Sequence, residues 1–236
     1  QITAAVLAST LAARLRPGET LVVGITGSVA VGKTVLAQQI AAALPGRVEI
    51  LSTDGFLKPN AVLEAQGLLM RKGFPESYDA PALAGVLAGL KTGAVTVPAY
   101  SHSLYDVDPA AARSIAGADV VLVEGLGLAP ADDGTRPPLD LLIYIDAAEA
   151  DIAQWYVARF MALWAAAADD AASFYTRFRH MSAAEAEQFA LGIWQAINRP
   201  NWLDHISRAR PVADLVINKA GNHDLWLLQG IGGAAA

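Results

Sequence analysis

The sequence predicts an α/β fold in which a mostly parallel central sheet is flanked by helices. Runs of β-branched and aliphatic residues alternate along the chain with alanine- and leucine-rich stretches of helical length. This alternation is typical of a parallel sheet whose faces are covered by helices. With 236 residues, of which 54% are hydrophobic and 17% charged, the chain can bury one sizeable core. We therefore expect a single domain over residues 1–236.

The two ends of the chain carry simple patterns. Near the N-terminus, Val6, Leu7 and Leu11 recur at helical spacing and predict an amphipathic helix at about 2–16. No basic segment precedes this helix, so we do not interpret it as a signal peptide. At the other end, the low-complexity tail at about 230–236 is expected to fray.

Between the ends, strands and helices follow each other in turn. Runs rich in Val, Ile and Leu predict strands at 20–25, 48–52, 95–99, 120–124, 141–146 and 215–218. Stretches rich in Ala and Leu predict helices at 33–44, 81–90, 147–166 and 183–197. Ser182 and Glu185 form a capping-box pattern at the start of the last helix.

Composition excludes several classes of protein. The chain has no cysteine, which rules out disulfides, thiolate metal sites and cysteine nucleophiles. Its net charge of −6 argues against a nucleic-acid partner, because phosphate backbones are bound by clustered Lys and Arg. Charged residues interrupt every apolar stretch before it reaches the length of a membrane span. We expect a cytoplasmic protein with neither a nucleic-acid nor a membrane partner.

A glycine-rich phosphate loop is the clearest functional motif. The pattern G-x-x-x-x-G-K-T lies between a predicted strand and a predicted helix. Its glycines let backbone N–H groups face phosphates, and the helix N-terminus adds the positive end of its dipole. Lys33 is expected to contact the β- and γ-phosphates, and Thr34 to offer its hydroxyl to Mg²⁺. The predicted nucleotide-binding residues of this loop are Gly27, Ser28, Val29, Ala30, Val31, Gly32, Lys33 and Thr34.

A phosphate loop alone does not separate a kinase from a motor or a nucleotide switch. The base-recognition motif of small GTPases is N-K-x-D, and residues 218–221 match only its first two positions, because Gly221 stands where the Asp belongs. The switch interpretation is therefore weak. A kinase also needs a carboxylate beside the acceptor hydroxyl.

Two carboxylates follow predicted strands. Asp54 comes just after the strand 48–52, which should neighbour the strand of the phosphate loop, and ligands of open α/β sheets bind at that edge. There it can accept the proton of an acceptor hydroxyl. Its alternative is a turn residue before Gly55. Glu124 ends another strand and is a candidate metal ligand, or else a residue that caps the next loop.

Six motifs together resemble bacterial type I pantothenate kinases, over about residues 21 to 223. The resemblance implies a P-loop kinase fold with a helical acceptor-binding region. It also implies transfer of the γ-phosphate of ATP to the primary hydroxyl of pantothenate, the first step towards coenzyme A, with ATP and Mg²⁺ as cofactors. In chain order the motifs are GSVAVGKT at 27–34, TDGF at 53–56, KGFPESYD at 72–79, YSHSLYD at 100–106, EGL at 124–126 and WYVARF at 155–160.

The resemblance also assigns catalytic roles. Asp54 corresponds to the catalytic base, Lys33 and Thr34 to the phosphate and magnesium contacts, and Arg159 to the guanidinium beside the transferring phosphate. A permanently charged planar donor suits that last position. The alternative for Arg159 is a surface residue that pairs with Asp151.

Further residues correspond to the family's substrate sites. Each has a plain alternative: core packing for Tyr156, a helix C-cap for Asn198, and a solvated loop position for His102. Phe160 belongs to an aromatic set with Phe174, Tyr175 and Phe178, which could equally be ordinary core. His223 corresponds to an adenine-side histidine. The predicted acceptor-binding residues are Asp54, Tyr100, His102, Tyr105, Tyr156, Phe160 and Asn198.

The sequence departs from the family at positions linked to regulation. In the family a basic residue four positions after the loop hydroxyl holds coenzyme A phosphates, and here it is Gln38, while Leu163 replaces a phenylalanine. We therefore expect weak coenzyme A inhibition. Two alternative functions stay open: a kinase of another small alcohol, such as a pantothenate analogue or a nucleoside, and a non-catalytic nucleotide-binding regulator. A homodimer is the expected oligomeric state.

Overall fold

The computed structural model describes residues 1–230, so the tail predicted to fray lies, except for Gly230, outside the described residues. The helices are α1 Ala4–Ala12, α2 Lys33–Ala43, α3 Asn60–Ala65, α4 Ala80–Gly89, α5 Glu149–Ala166, α6 Ala183–Ile193 and α7 Arg199–Asp204. The strands are β1 Leu21–Gly27, β2 Val48–Ser52, β3 Val95–Ser101, β4 Asp106–Ile115, β5 Val120–Glu124, β6 Leu141–Ala147, β7 Leu215–Lys219 and β8 Leu225–Gln229.

The central sheet has six strands in the order β2-β5-β1-β6-β7-β8. The first five are parallel, and β8 pairs antiparallel with β7. The predicted fold class, a mostly parallel sheet flanked by helices, is confirmed. The sequence did not reveal β8, because Trp226 and Leu228 on it are exposed and its apolar pattern is not that of a buried strand.

One predicted strand lies outside this sheet. The segment 95–99 belongs to β3, which forms an antiparallel two-stranded ribbon with β4. Pro98 lacks an N–H donor and sits where the register shifts between Val97 and Ala99. Only Val97 on β3 is fully buried, so this strand covers an edge of the core instead of running through it.

The expectation that β2 neighbours β1 is wrong, because β5 lies between them. Every residue of β5 is buried, and the strand pairs on both sides. The register aligns Ser52 of β2, Glu124 of β5 and Ile25 of β1 in one row. The carboxyl ends of the three strands therefore meet at one edge of the sheet.

Helices cover both faces of the sheet. On one face α1, α2 and the start of α5 bury residues such as Leu11, Ile40 and Ile152, and on the other α4 and the turn Ile206–Val212 bury Leu87 and Ala209. No helix in residues 1–230 is long and apolar enough to cross a membrane.

Two helices differ from their predicted bounds. The N-terminal helix is shorter than 2–16, because Thr3 caps α1 and Ile2 already pairs with Leu225 of β8. The helix predicted at 183–197 starts with the expected capping box but stops being α-helical at Ile193. A π-helical turn, Trp194–Asn198, links it to α7. Such π turns often mark functional sites.

Candidate active site

The phosphate loop connects β1 directly to α2. Gly32 is the N-cap of α2 with φ 100°, a left-handed backbone conformation that glycine adopts without steric cost. Ser28 is buried, and its Oγ has no hydrogen-bond partner among the described residues. A buried hydroxyl of this kind is available to a ligand.

Lys33 points back into the phosphate loop. Its side chain is 9% exposed, and its Nζ donates to the carbonyl oxygens of Ser28 at 2.9 Å and Gly27 at 3.3 Å. Burial lowers the pKa of Lys33 to about 8; the nearby charges of Glu124 and Asp54 oppose the shift, and that of Arg159 adds to it. The charges of both predicted carboxylates and of the predicted guanidinium thus act on this ammonium.

The two carboxylates reach the same edge from different strands. Asp54 lies in the 3₁₀ turn Thr53–Phe56 directly after β2, with its backbone N–H donating to Ser52 Oγ at 3.3 Å. Glu124 is the last residue of β5 and is buried. Gly125 has φ 148°, and any Cβ there would collide with the Thr53 side chain. The close approach permitted by this glycine holds the Asp54 turn against the end of β5.

Arg159 lies on α5 and is exposed. Among residues 1–230 it has no ion pair within 4.0 Å, so the alternative of a surface pair with Asp151 is wrong. Its charge acts on Lys33, Tyr156 and Tyr175. The charge of this exposed guanidinium therefore reaches both the phosphate-loop lysine and the two tyrosines.

Lys72 is a site residue to which sequence reasoning gave no role. Its Nζ donates to Asn60 Oδ1 and to the Tyr105 carbonyl oxygen, both at 2.6 Å, and lies 4.4 Å from the Tyr105 ring centroid. Burial lowers the pKa of Lys72 to about 8, against the opposing charges of Asp106 and Asp54. It is a second, half-buried ammonium on which the charge of Asp54 acts.

Tyr78 also reaches the predicted base. Its hydroxyl lies 3.5 Å from Asp54 Oδ1, and the residue is buried. Burial, together with the negative charge of Asp54, raises the pKa of Tyr78 well above its ordinary value. The phenol stays protonated and can donate to the carboxylate. Both Lys72 and Tyr78 lie in the KGFPESYD motif, which was the available signal.

Aromatic rings at the turn of the β3–β4 ribbon pack against one another and against Phe174. Tyr100 lies edge-on to Tyr105, with centroids 6.4 Å apart, and Tyr105 stacks on Phe174 at 4.2 Å. Burial raises the pKa of Tyr105 to about 12 and also raises that of Tyr100. Both remain neutral phenols. His102 is exposed, with its ring 5.2 Å from that of Tyr100, as its alternative of a solvated loop residue describes.

A second group of aromatic rings lies in the helical region. Tyr156 on α5 is half-buried, and its ring lies 6.0 Å from that of Trp194. Burial raises the pKa of Tyr156, a shift that the neighbouring Asn198 amide opposes by hydrogen bonding. Asn198 ends the π-helical turn with φ −71° and leads straight into α7, so the alternative of a helix C-cap is wrong.

Phe160 lies deeper, on α5, and is 6% exposed. Its ring contacts those of Tyr175, Phe178 and Phe189, at centroid distances of 5.5 to 5.9 Å. Two buried alanines of α6 complete this cluster. The aromatic set predicted from sequence is therefore contiguous, and Phe160 packs α5 against α6.

His223 lies in the turn between β7 and β8. It has φ 70°, is exposed, and stacks on Trp155 with centroids 5.2 Å apart. Trp155 in turn lies under the Lys219 ammonium, 4.2 Å from ring centroid to Nζ. These residues form a stack beside the phosphate loop, where a nucleobase has access to a flat face.

A parallel sheet with a phosphate loop after β1 and acidic side chains at the adjoining strand ends defines a P-loop kinase. The family model described as "Phosphoribulokinase / Uridine kinase family" matches residues 22–179. The pantothenate kinase of Xanthobacter autotrophicus is 41% identical over 220 residues, covering 86% of this chain and 68% of that protein. That of Sorangium cellulosum is 43% identical over 214 residues, covering 86% and 70%. The chain belongs to the phosphoribulokinase and uridine kinase family and, within it, to the pantothenate kinases.

Solved structures agree on the fold. A putative fructose transport system kinase from Silicibacter sp. TM1040 superposes with a TM-score of 0.71 at 24% identity, over 90% of this chain and 96% of that chain. Phosphoribulokinase from Rhodobacter spheroides gives a TM-score of 0.51 at 14% identity, over 86% and 71%. At these identities the likeness concerns the fold alone.

Proposed function

We propose that this protein transfers the γ-phosphoryl group of ATP to the primary hydroxyl of pantothenate, forming 4′-phosphopantothenate in the first step of coenzyme A biosynthesis. The observation that carries the proposal is the placement of Asp54 and Glu124 at the ends of the paired strands β2 and β5, where their charges, and that of Arg159, act on Lys33 of the phosphate loop. The identity of 41–43% to proteins named pantothenate kinase supports the choice of acceptor.

Asp54 acts as the base in this proposal. Its carboxylate takes the proton of the acceptor hydroxyl as the oxygen bonds to the γ-phosphorus, and the bond to the bridging oxygen breaks to release ADP. Lys33 leaves the loop carbonyls to contact the phosphates, and Arg159 and Lys72 supply further positive charge where the phosphoryl group passes. Tyr78 orients the Asp54 carboxylate by donating from its hydroxyl.

Magnesium fits the oxygen groups at the loop. Thr34 is exposed in the first turn of α2, and the Glu124 carboxylate makes no hydrogen bond among the described residues. Hydroxyl and carboxylate oxygens are ligands that Mg²⁺ accepts together with phosphate oxygens and waters. No cluster of three or more His, Asp or Glu side chains suited to a metal occurs in residues 1–230. When bound, the ion neutralises phosphate charge.

The acceptor site proposed here is an aromatic cleft with neutral donors. Pantothenate carries a carboxylate, an amide and two hydroxyls along an aliphatic chain, so it needs apolar walls with a few hydrogen-bonding groups. Tyr100, Tyr105, Tyr156 and Asn198 supply those groups, His102 closes the outer end, and Phe160 supports the wall. His223 serves the adenine side of the nucleotide.

Inhibition by coenzyme A is proposed to be weak, because Gln38 is exposed and uncharged beside the phosphate loop. A single domain, a cytoplasmic location and a homodimer also stay predictions. Gel filtration with light scattering tests the last of these.

An acceptor panel tests the proposed function. ADP release is measured with ATP, Mg²⁺ and, in turn, pantothenate, uridine and glycerate. Release that depends on pantothenate and exceeds the other two at equal concentration supports the proposal. Release with uridine or glycerate instead would mean another small alcohol, and ATP binding without release for any acceptor would mean a regulator.

A further inference from the structure

The Asn-Lys pair at 218–219 does not complete the GTPase base-recognition motif, and the structure gives its lysine a different role. Lys219 is the last residue of β7, paired in register with Ala147 at the end of β6. Its side chain is half-buried and runs towards the phosphate loop. Lysine side chains are usually exposed, and this chain has only five of them. A half-buried lysine at this edge of the sheet therefore needs an explanation.

The Lys219 ammonium binds the loop backbone. Its Nζ donates to the Val31 carbonyl oxygen at 2.9 Å and lies 3.0 Å from the point where a Cβ on Gly32 would stand. In a trans peptide the carbonyl and the following N–H point in opposite directions. Holding the Val31 carbonyl therefore aims the Gly32 N–H away from Lys219, to the other side of that peptide.

The same ammonium also contacts the stack formed by Trp155 and His223. It lies 4.2 Å from the Trp155 ring centroid, and Trp155 stacks on His223. A cation over an indole face is an attractive contact, strongest when partly desolvated. Burial lowers the pKa of Lys219, as a sheltered position requires. Lys219 thus touches the loop on one side and the stack on the other.

We propose that Lys219 is a positioning residue that fixes the Val31–Gly32 peptide for phosphate binding and couples it to the Trp155–His223 stack. The inference rests on the proposed function for the identity of the nucleotide. In this proposal Lys219 keeps its contacts with the Val31 carbonyl and the Trp155 ring and acts on the phosphates only through the loop. Its removal therefore weakens phosphate binding indirectly, through the loop.

The test compares Lys219→Met with a matched control. Methionine keeps an unbranched chain over Trp155 but removes the charge and the donor. Lys91→Met is the control, because Lys91 also donates to a backbone carbonyl, that of Thr20 at 3.0 Å, before the amino end of β1. Calorimetry should show MgATP binding about tenfold or more weaker in Lys219→Met, and changed less than twofold in Lys91→Met.

A second probe distinguishes loop positioning from base binding. Inorganic tripolyphosphate has no nucleobase, so Lys219→Met should weaken tripolyphosphate binding by a factor similar to that for MgATP. The Michaelis constant for pantothenate should stay within about twofold, which general misfolding would not allow. Lys219→Arg should recover part of the MgATP affinity. Unchanged tripolyphosphate binding, or an equal loss for pantothenate, would overturn the proposal.

The binding measurements contain no acceptor. A failure to phosphorylate pantothenate would therefore overturn the proposed function. The effect of Lys219→Met on MgATP and tripolyphosphate binding would still test the positioning role. Conversely, active phosphorylation with unaltered MgATP affinity in Lys219→Met would overturn the positioning role alone.

Discussion

Replacing Asp54 by Asn tests the proposed base while keeping the shape of the side chain. The backbone of Asp54 is fixed by Ser52 and the turn Thr53–Phe56, and an amide can still accept from Tyr78, so the fold should be retained. A positioned general base contributes roughly 10²–10⁴ in rate. We expect kcat to fall by about a hundredfold or more, with MgATP still bound.

The same substitution has a second, electrostatic effect. The Asp54 charge opposes the burial that lowers the pKa values of Lys33 and Lys72 to about 8. Removing that charge lowers both values further. The alkaline limb of kcat/KM for ATP should therefore move to lower pH in Asp54→Asn, a shift that loss of a base alone does not produce.

The assay is coupled ADP release with saturating pantothenate and ATP, from pH 6 to 10. Asp79→Asn is the matched control, because Asp79 is an exposed carboxylate that caps α4, and asparagine caps equally well. The control should retain the parent kcat. A kcat for Asp54→Asn within threefold of the parent would refute the role of Asp54 as base.

Three further outcomes are expected. Lys33→Ala should weaken MgATP binding in calorimetry by about tenfold or more, since a charge-assisted phosphate contact is lost; unchanged binding would contradict its role. In the parent, kcat/KM for ATP should fall above pH 8, because deprotonation of Lys33 and Lys72 removes their positive charge. Each lysine with a pKa of about 8 should contribute a fall of about tenfold from pH 7 to 9. Lys72→Met should make the fall shallower, and an unchanged slope would remove Lys72 from the site. Coenzyme A at fixed ATP should inhibit the parent poorly, and Gln38→Arg should tighten inhibition about ten- to a hundredfold; strong inhibition of the parent that the substitution leaves unchanged would contradict this.

Local patterns predicted the elements that build the site. The phosphate loop, the strand before it and the helix after it depend on neighbouring residues, and so does the capping box of Ser182 and Glu185. Apolar runs correctly marked β1, β2, β5, β6 and β7 as strands; all but β2, where only Leu51 is buried, are largely buried. What these patterns do not contain is the spatial order of the strands. The position of β5 between β2 and β1 is decided by long-range pairing.

The remaining features of the site also depend on distant contacts. Lys72 and Asn60 are far from Tyr105 in sequence, and only the folded chain brings the Lys72 ammonium to the Tyr105 carbonyl. The π-helical turn ending at Asn198 has no simple periodic signature, so a continuous helix was predicted there. The absence of an ion pair at Arg159, within residues 1–230, likewise follows from three-dimensional packing.

The central claim is that the phosphoryl group arrives on pantothenate. The most direct measurement is ³¹P NMR, with mass spectrometry, of the products formed from ATP, Mg²⁺ and pantothenate by the parent and by Asp54→Asn. Our account predicts a phosphomonoester on the primary hydroxyl of pantothenate, formed in step with ADP by the parent and at least about a hundredfold more slowly by the variant. Inorganic phosphate as the only phosphorus product besides ADP, or equal ester formation by both proteins, would contradict it.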